Sequence, residues 1–270
     1  MESCVLVATQ TFGMVLRKRQ RRLRWSTPFA ALGLEYSRVC MDLRNPTNSR
    51  FRLSRGLREA ASRVQRLTTH PLLIWAGLRS PRPQHTRREG LALSRYARGR
   101  RRLVEIGVAA GCSAALLRGA MAEDGVLWLI DPYPPGRIPG VNTTELAARR
   151  VVGRVRNGEV VWERFRSHVR ALDWQQPLDF LFIDGDHTYE GCSRDWRDWS
   201  PHVEPGGLVL LHDAVPFPGG WLDDSWGPAR VLEEFVVPDP EWLLIDTVDS
   251  LAVLQRQGGD VGSSARAGAS

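Results

Sequence analysis

The sequence predicts an α/β fold: a seven-stranded, mostly parallel sheet whose last strand is antiparallel, preceded by a basic extension. Three observations carry this. From Leu103 onward, short β-branched and aliphatic runs alternate with helical stretches, the pattern of a parallel sheet covered on both faces. The last two runs are separated only by Asp249 and Ser250, a gap that allows an antiparallel hairpin but no parallel crossover. Charge is also divided, because residues 1–102 hold 23 Lys and Arg against 5 Asp and Glu, a net of +18, and the remainder is −11.

In order, the strands are expected at 102–107 (RLVEIG), 126–131 (VLWLID), 159–163 (EVVWE), 178–184 (LDFLFID), 207–213 (GLVLLHD), 242–248 (WLLIDTV) and 251–256 (LAVLQR), with helices between the first six. This organises the chain as a basic arm over 1–85, a domain over 86–257 whose strand-and-helix alternation runs from about Arg101 to Gln257, and a tail over 258–270 expected to be flexible. Within the arm a helix is expected at 54–66 and a proline-containing linker, SPRPQH, at 80–85.

Composition bounds the function. Hydrophobic residues make up 43 % and charged residues 25 % of the 270, which is ordinary for a folded domain. Cys4, Cys40, Cys112 and Cys192 form no CxxC pair, which argues against a zinc knuckle or a disulfide framework and for a reducing compartment. No apolar run reaches bilayer length. The expected location is the cytoplasm, with the basic arm suited to peripheral contact with an anionic membrane or a polyanion.

The first strand ends in Glu105-Ile106-Gly107, and Gly111 follows just before the next helix, so the backbone can approach a ligand closely at both glycines. Asp131 closes the second strand, where a carboxylate can accept both ribose hydroxyls of a nucleoside. The spacing is not G-x-G-x-x-G, which argues against a dinucleotide, and Glu105 is placed to receive an ammonium, which fits a cofactor with an amino-acid end. Asp184 and Asp213 end the fourth and fifth strands, so both should converge at the ligand crevice. Two carboxylates in one cleft repel unless a cation or a shared proton relieves them.

The stretch VEIGVAAGCSAALL, with Asp131 after it, resembles the first motif of the class I S-adenosylmethionine-dependent methyltransferases, which have a Rossmann-like sheet. Within them it is similar to the small-molecule O-methyltransferases of the catechol and caffeoyl-coenzyme A kind. The turn DGDHTYEG also resembles a broader group found beside glycan and natural-product pathways. The resemblance covers about 155 residues and leaves the arm outside it. It implies S-adenosyl-L-methionine as cofactor, with Glu105, Gly107, Gly111 and Ser113 holding the methionine part, Asp131 the ribose, and Ser167 lying near the adenine. It further implies a divalent cation such as Mg²⁺ on Asp184, with His187 standing where those enzymes carry the lysine that deprotonates the acceptor.

At the fifth strand those enzymes carry Asp-Asn, whereas this chain has His212-Asp213-Ala214, so His212 and Asp213 are expected to complete the metal set. Strand alternation would point these two side chains to opposite faces unless the strand has already ended. Phe217 to Trp226 lacks periodicity and could cap the crevice, with Trp221 or Trp226 stacking on a sugar or aromatic ring. The reading is methylation of a hydroxyl on a small-molecule or glycan acceptor. The alternatives are a nucleic-acid methyltransferase using the basic arm, and a non-catalytic nucleoside-binding module.

Overall fold

The computed structural model describes residues 71–135, 141–220, 222–223 and 225–258. The helix expected at 54–66, most of the arm, the tail and Trp221 lie outside them.

The sheet has seven strands: β1 (Arg102–Ile106), β2 (Val126–Ile130), β3 (Glu159–Glu163), β4 (Leu178–Ile183), β5 (Val203–Leu211), β6 (Trp242–Val248) and β7 (Leu251–Arg256). Their order is β3-β2-β1-β4-β5-β7-β6. The β1–β2, β1–β4, β2–β3 and β4–β5 pairs are parallel, and β7 runs antiparallel to both β5 and β6. β1 sits where the order reverses, the position at which such sheets open a crevice beyond their C-terminal ends.

The strands are continuous apolar runs because both faces are covered. Leu103, Leu127, Leu129, Phe180, Phe182, Leu208 and Leu210 pack on one face against α2 (Arg87–Ala97), α3 (Cys112–Ala120) and α4 (Thr143–Val152). Val104, Ile106, Ile130, Leu181, Ile183, Val209 and Leu211 face the other way, toward α6 (Tyr189–Trp199) and α7 (Gly227–Val231). This is the two-residue period of a strand read directly as two cores. A further helix, α5 (Ser167–Ala171), follows β3.

The strands fall close to the expected spans, with β5 the exception. It begins at Val203 rather than 207, and its pairing with β4 shifts register between Leu178 and Phe180. Glu204-Pro205-Gly206-Gly207 reads as a turn, and Gly206 does take a left-handed φ of 79°, but the ladder continues across this irregularity.

Residues ahead of position 86 also touch the domain. α1 (Pro71–Trp75) buries Ile74 against Ala147 and Val151 of α4. Thr86 caps α2 through a reciprocal capping box with Glu89, and Thr86 Oγ1 also donates to Asp249 at 2.6 Å. Asp249 accepts Arg88 at 2.8 Å as well, so the start of α2 docks on the β6–β7 turn. Among the described residues no helix is long and apolar enough to cross a membrane.

On the α6 side, Trp174 is wedged between Trp128 (5.2 Å between ring centroids) and Trp199 (5.0 Å) and donates its indole N–H to the Gln176 carbonyl. Trp174→Ala should therefore cost about 3–5 kcal/mol in equilibrium urea unfolding, the scale for deleting a buried aromatic ring. A loss below about 1 kcal/mol would show that this side of the sheet is not packed as described.

Candidate active site

The crevice is built where β1 crosses to β4. Ile106 accepts the Asp184 N–H at 2.9 Å, and Gly107 donates to Ile130 at 3.0 Å. Gly107 has a φ of 86°, and a Cβ there would collide with the Asp184 carbonyl oxygen, so only glycine lets the two strand ends approach. Gly111, at a φ of 80°, starts α3 pressed against Ala148 of α4.

Asp131 leaves β2 and turns back onto this loop. Its Oδ2 accepts the N–H groups of Val108 (3.0 Å) and Ala109 (3.1 Å), and its Oδ1 accepts Tyr133 N–H (2.9 Å). A carboxylate has about four acceptor positions, so three are occupied by the loop it organises. Glu105 is fully buried, accepts the Ser113 hydroxyl at 2.5 Å on Oε1, and has no partner on Oε2. Burial pushes its carboxyl well above the usual carboxylate range.

Beyond β4 and β5, six side chains close a ring. Asp184 Oδ1 lies 3.2 Å from His187 Nε2 and 2.9 Å from His212 Nδ1. His187 Nδ1 lies 3.4 Å from Asp213 Oδ2. Asp213 Oδ1 is 3.0 Å from the Ser250 hydroxyl, which lies 2.7 Å from Glu89 Oε1, and Glu89 Oε2 is 3.5 Å from His212 Nε2. Trp226 approaches His187 edge to face, with centroids 6.0 Å apart.

The chemistry of the ring follows from its charges. Burial works against a charge on His212, but Asp184, Glu89 and Asp213 more than offset it and push its pKa up to about 10. The hydrogen bond to Asp184 raises His187, against the opposing effect of burial. Burial would raise Asp184, yet the two imidazoles hold it below the usual range. Neither nitrogen of His212 has an aligned hydrogen-bond partner among the described residues, although carboxylate oxygens stand close to both.

One donor atom each from Asp184, His187 and His212 lies within 4.8 Å of the other two, a grouping that could hold a metal ion. It contains His187 where the sequence led us to expect Asp213. The backbone explains the change: β5 ends at Leu211, and Asp213 takes a left-handed φ of 52°, which lets His212 and Asp213 share one cleft but turns Asp213 Oδ1 to Ser250. The expected conflict with strand alternation therefore does not arise. Ala214, where related enzymes carry asparagine, is buried in the core.

Ser167 starts α5 and donates its hydroxyl to Asp195 of α6, beside Gly185. Glu89 and Ser250 were not anticipated from the sequence. The Thr86-x-x-Glu89 capping signature is visible there, but it accounts for Glu89 locally and gives no sign of its second role.

A seven-stranded sheet of this order, with a reversed last strand, a glycine turn after β1 and an acidic end to β2, is a Rossmann-like methyltransferase fold. Residues 104–214 match the family described as a methyltransferase domain. Solved structures share the architecture. Rv0187 from MTB, cofactor-bound, is similar at 19% identity and a TM-score of 0.53, over 69% of this chain and 88% of that one. An O-methyltransferase from Bacillus cereus in complex with SAH aligns at 17% identity and a TM-score of 0.51, over 84% and 97%. The O-methyltransferase TomG from Streptomyces achromogenes, involved in tomaymycin synthesis and solved with SAM, aligns at 18% and 0.52, over 84% and 96%. At these identities the likeness speaks for the fold.

Asp195 offers a test of the crevice floor by pH. Burial raises its pKa to about 6, against the lowering effect of the Ser167 hydroxyl. An unfolded Asp ionises near pH ~4, so between about pH 4 and 6 the native state holds the extra proton and stability falls as pH rises. Asp195→Asn should remove this loss. Relative to the parent it should gain about 1–3 kcal/mol at pH 7.5 compared with pH 4.5 in denaturant unfolding. An equal difference at both pH values would mean that Asp195 is not held protonated.

Proposed function

We propose that this chain methylates a hydroxyl of a small-molecule or glycan acceptor from S-adenosyl-L-methionine, with His187 as the base and a divalent cation beside it. The observation that carries this reading is His187 held between Asp184 and Asp213 at the C-terminal ends of β4 and β5.

The residues present suit both groups. Glu105 has an orphaned buried Oε2 that an ammonium would satisfy, Asp131 keeps acceptor capacity for a ribose hydroxyl, and a Cβ at Gly107 would obstruct the turn. Glu105, Gly107, Gly111 and Ser113 would hold the methionine part, Asp131 the ribose, and Ser167 would lie toward the adenine. S-adenosylmethionine, when bound, supplies an electrophilic methyl group on a sulfonium. Asp184 and His212 would hold the cation, since the ring nitrogens of His212 lack aligned partners and an imidazole-carboxylate set suits first-row divalent ions as well as Mg²⁺. The cation, when bound, supplies positive charge that lowers the pKa of a nearby hydroxyl.

The protein's part is orientation and proton transfer. With Nε2–H donated to Asp184, Nδ1 is the atom of His187 that takes the acceptor's proton, and Asp184 and Asp213 stabilise the imidazolium that results. His187 is 29% exposed on its side chain, open enough for an acceptor to reach. Trp226 covers one side of the ring and would limit water there. For the third cation donor, Asp213 is the residue consistent with His187 as base. The compact Asp184–His187–His212 grouping favours a second reading, in which His187 is itself a ligand.

Two measurements test this. His187→Ala should lower kcat about 10²–10⁴-fold, the range for losing a positioned base, with S-adenosylmethionine affinity by calorimetry nearly unchanged. EDTA should suppress turnover, and Mg²⁺ or Mn²⁺ should restore it. If His187→Ala also abolishes cation binding, the ligand reading is correct; full activity would remove His187 from the chemistry. In the cofactor site, Asp131→Ala should weaken S-adenosylmethionine binding by about 1.5–3 kcal/mol, the scale of hydrogen bonds to a charged group. Unchanged affinity in a folded variant would exclude Asp131.

A further inference from the structure

We propose that Glu89, on the helix ahead of the methyltransferase core, is a positioning residue that selects which nitrogen of His212 faces the cation. The inference rests on the cation reading above and extends it to a residue outside the span 104–214.

A carboxylate ligand has equivalent oxygens, but an imidazole offers two different nitrogens, and which one binds a metal is set by what the other nitrogen donates to. His212 is one of the residues the sequence led us to expect in the metal set, so this chain has that choice to make. The structure divides the ring unequally. Nδ1 faces Asp184 at 2.9 Å and Asp213 at 3.6 Å, whereas Nε2 faces Glu89 Oε2 at 3.5 Å. A cation drawn to Asp184 therefore meets Nδ1, while Nε2 keeps its hydrogen and presents it to Glu89.

Glu89 is built for the task. It is 1% exposed and His212 3%, so neither has water as an alternative partner. Thr86 N–H donates to Oε2 at 2.6 Å, and Ser250 donates to Oε1 from its N–H at 2.8 Å and approaches with its hydroxyl at 2.7 Å. That accounts for about three of the four acceptor positions of a carboxylate and leaves one toward His212. Helix capping alone needs only the Thr86 contacts, and an exposed glutamate does that work. Burial, the Ser250 contacts and the approach to His212 are additional and share one direction. Ser250 also carries the arrangement to Asp213, 3.0 Å away, so Glu89 links α2 to both residues that follow β5.

The test uses the full chain freed of metal by chelation and reloaded with Co²⁺ or Zn²⁺. In the Zn²⁺-loaded protein with ¹⁵N-labelled histidine, long-range ¹H–¹⁵N spectra should show His212 metal-bound at Nδ1 and protonated at Nε2. Glu89→Ala should weaken Co²⁺ binding, read by absorption titration, about 10–100-fold, the range for removing an outer partner of a metal-bound histidine. Glu89→Gln, which keeps an acceptor, should lose less. S-adenosylmethionine affinity should change less than about twofold in both, which reports that the fold survives. Binding of His212 through Nε2, or Co²⁺ affinity of Glu89→Ala equal to that of the parent, overturns the role of Glu89 alone. The spectra need no variant, so the proposal stays open to refutation even if Glu89→Ala does not fold. A parent protein that takes up neither ion overturns the cation reading and the role of Glu89 with it.

Discussion

The arrangement of this protein's crevice depends on one constraint: three carboxylates, Glu89 and Asp213 buried and Asp184 half-buried, crowd the same end of the sheet and need compensating positive charge and donors. Desolvating one ionised carboxylate costs several kcal/mol, and crowding three multiplies the penalty unless cations and donors surround them. His187 and His212 are placed between them, and the Thr86 and Ser250 N–H groups donate to Glu89. Burial works against charging His212, and the carboxylates win because more than one of them acts on the same ring. Removing any one member leaves its neighbours short of a compensating charge or donor.

The sheet explains why these groups meet. In the strand order β3-β2-β1-β4-β5-β7-β6 the parallel strands all end on one side, and the reversed β7 brings the Asp249–Ser250 turn to that side as well. Gly107 lets β1 pass close to the Asp184 carbonyl, which sets Asp184 between the glycine turn and the histidines. Asp131 stiffens that turn from the other side through three backbone N–H groups. One end of the crevice is thus a rigid backbone cradle and the other a network of charged side chains, a division that suits a bound nucleoside at one end and proton chemistry at the other.

The strands were readable in the sequence because each is an unbroken apolar run bounded by Gly, Asp or Pro, and the two-residue gap at Asp249–Ser250 left only a hairpin. β5 starts earlier than its apolar run because Val203 already pairs with β4 at Leu178, and the turn that Gly206-Gly207 signals is taken up as an irregularity before the ladder resumes at Leu208. The positions of Asp131, Asp184 and Gly107 just beyond strand ends were readable, because each follows an apolar run directly. The left-handed turn at Asp213 was not, since nothing local requires it; the Asp213 side chain and the backbone of the next residues are held by Ser250, 37 positions away. Glu89 was hidden for a different reason: the capping box explains it fully at short range, and its burial arises from contacts with residues 123 and 161 positions further along.

These long-range contacts bear on what counts as the domain. The matched span, 104–214, contains Asp184, His187, His212 and Asp213 but neither Glu89 nor Ser250. Within that span alone the carboxylates and imidazoles would remain, while the carboxylate that faces His212 Nε2 and the hydroxyl that lies between Glu89 and Asp213 would be missing. The helix before β1 and the hairpin after β5 therefore do more than cover the sheet edges. Arg88 and Thr86 anchor the helix to Asp249, and Glu89 reaches Ser250 from the same turn of helix, so one docking surface fixes both the packing of α2 and the approach of Glu89 to His212. Orientation of the proposed cation donor is in this sense a property of tertiary packing, set by two segments that flank the matched span.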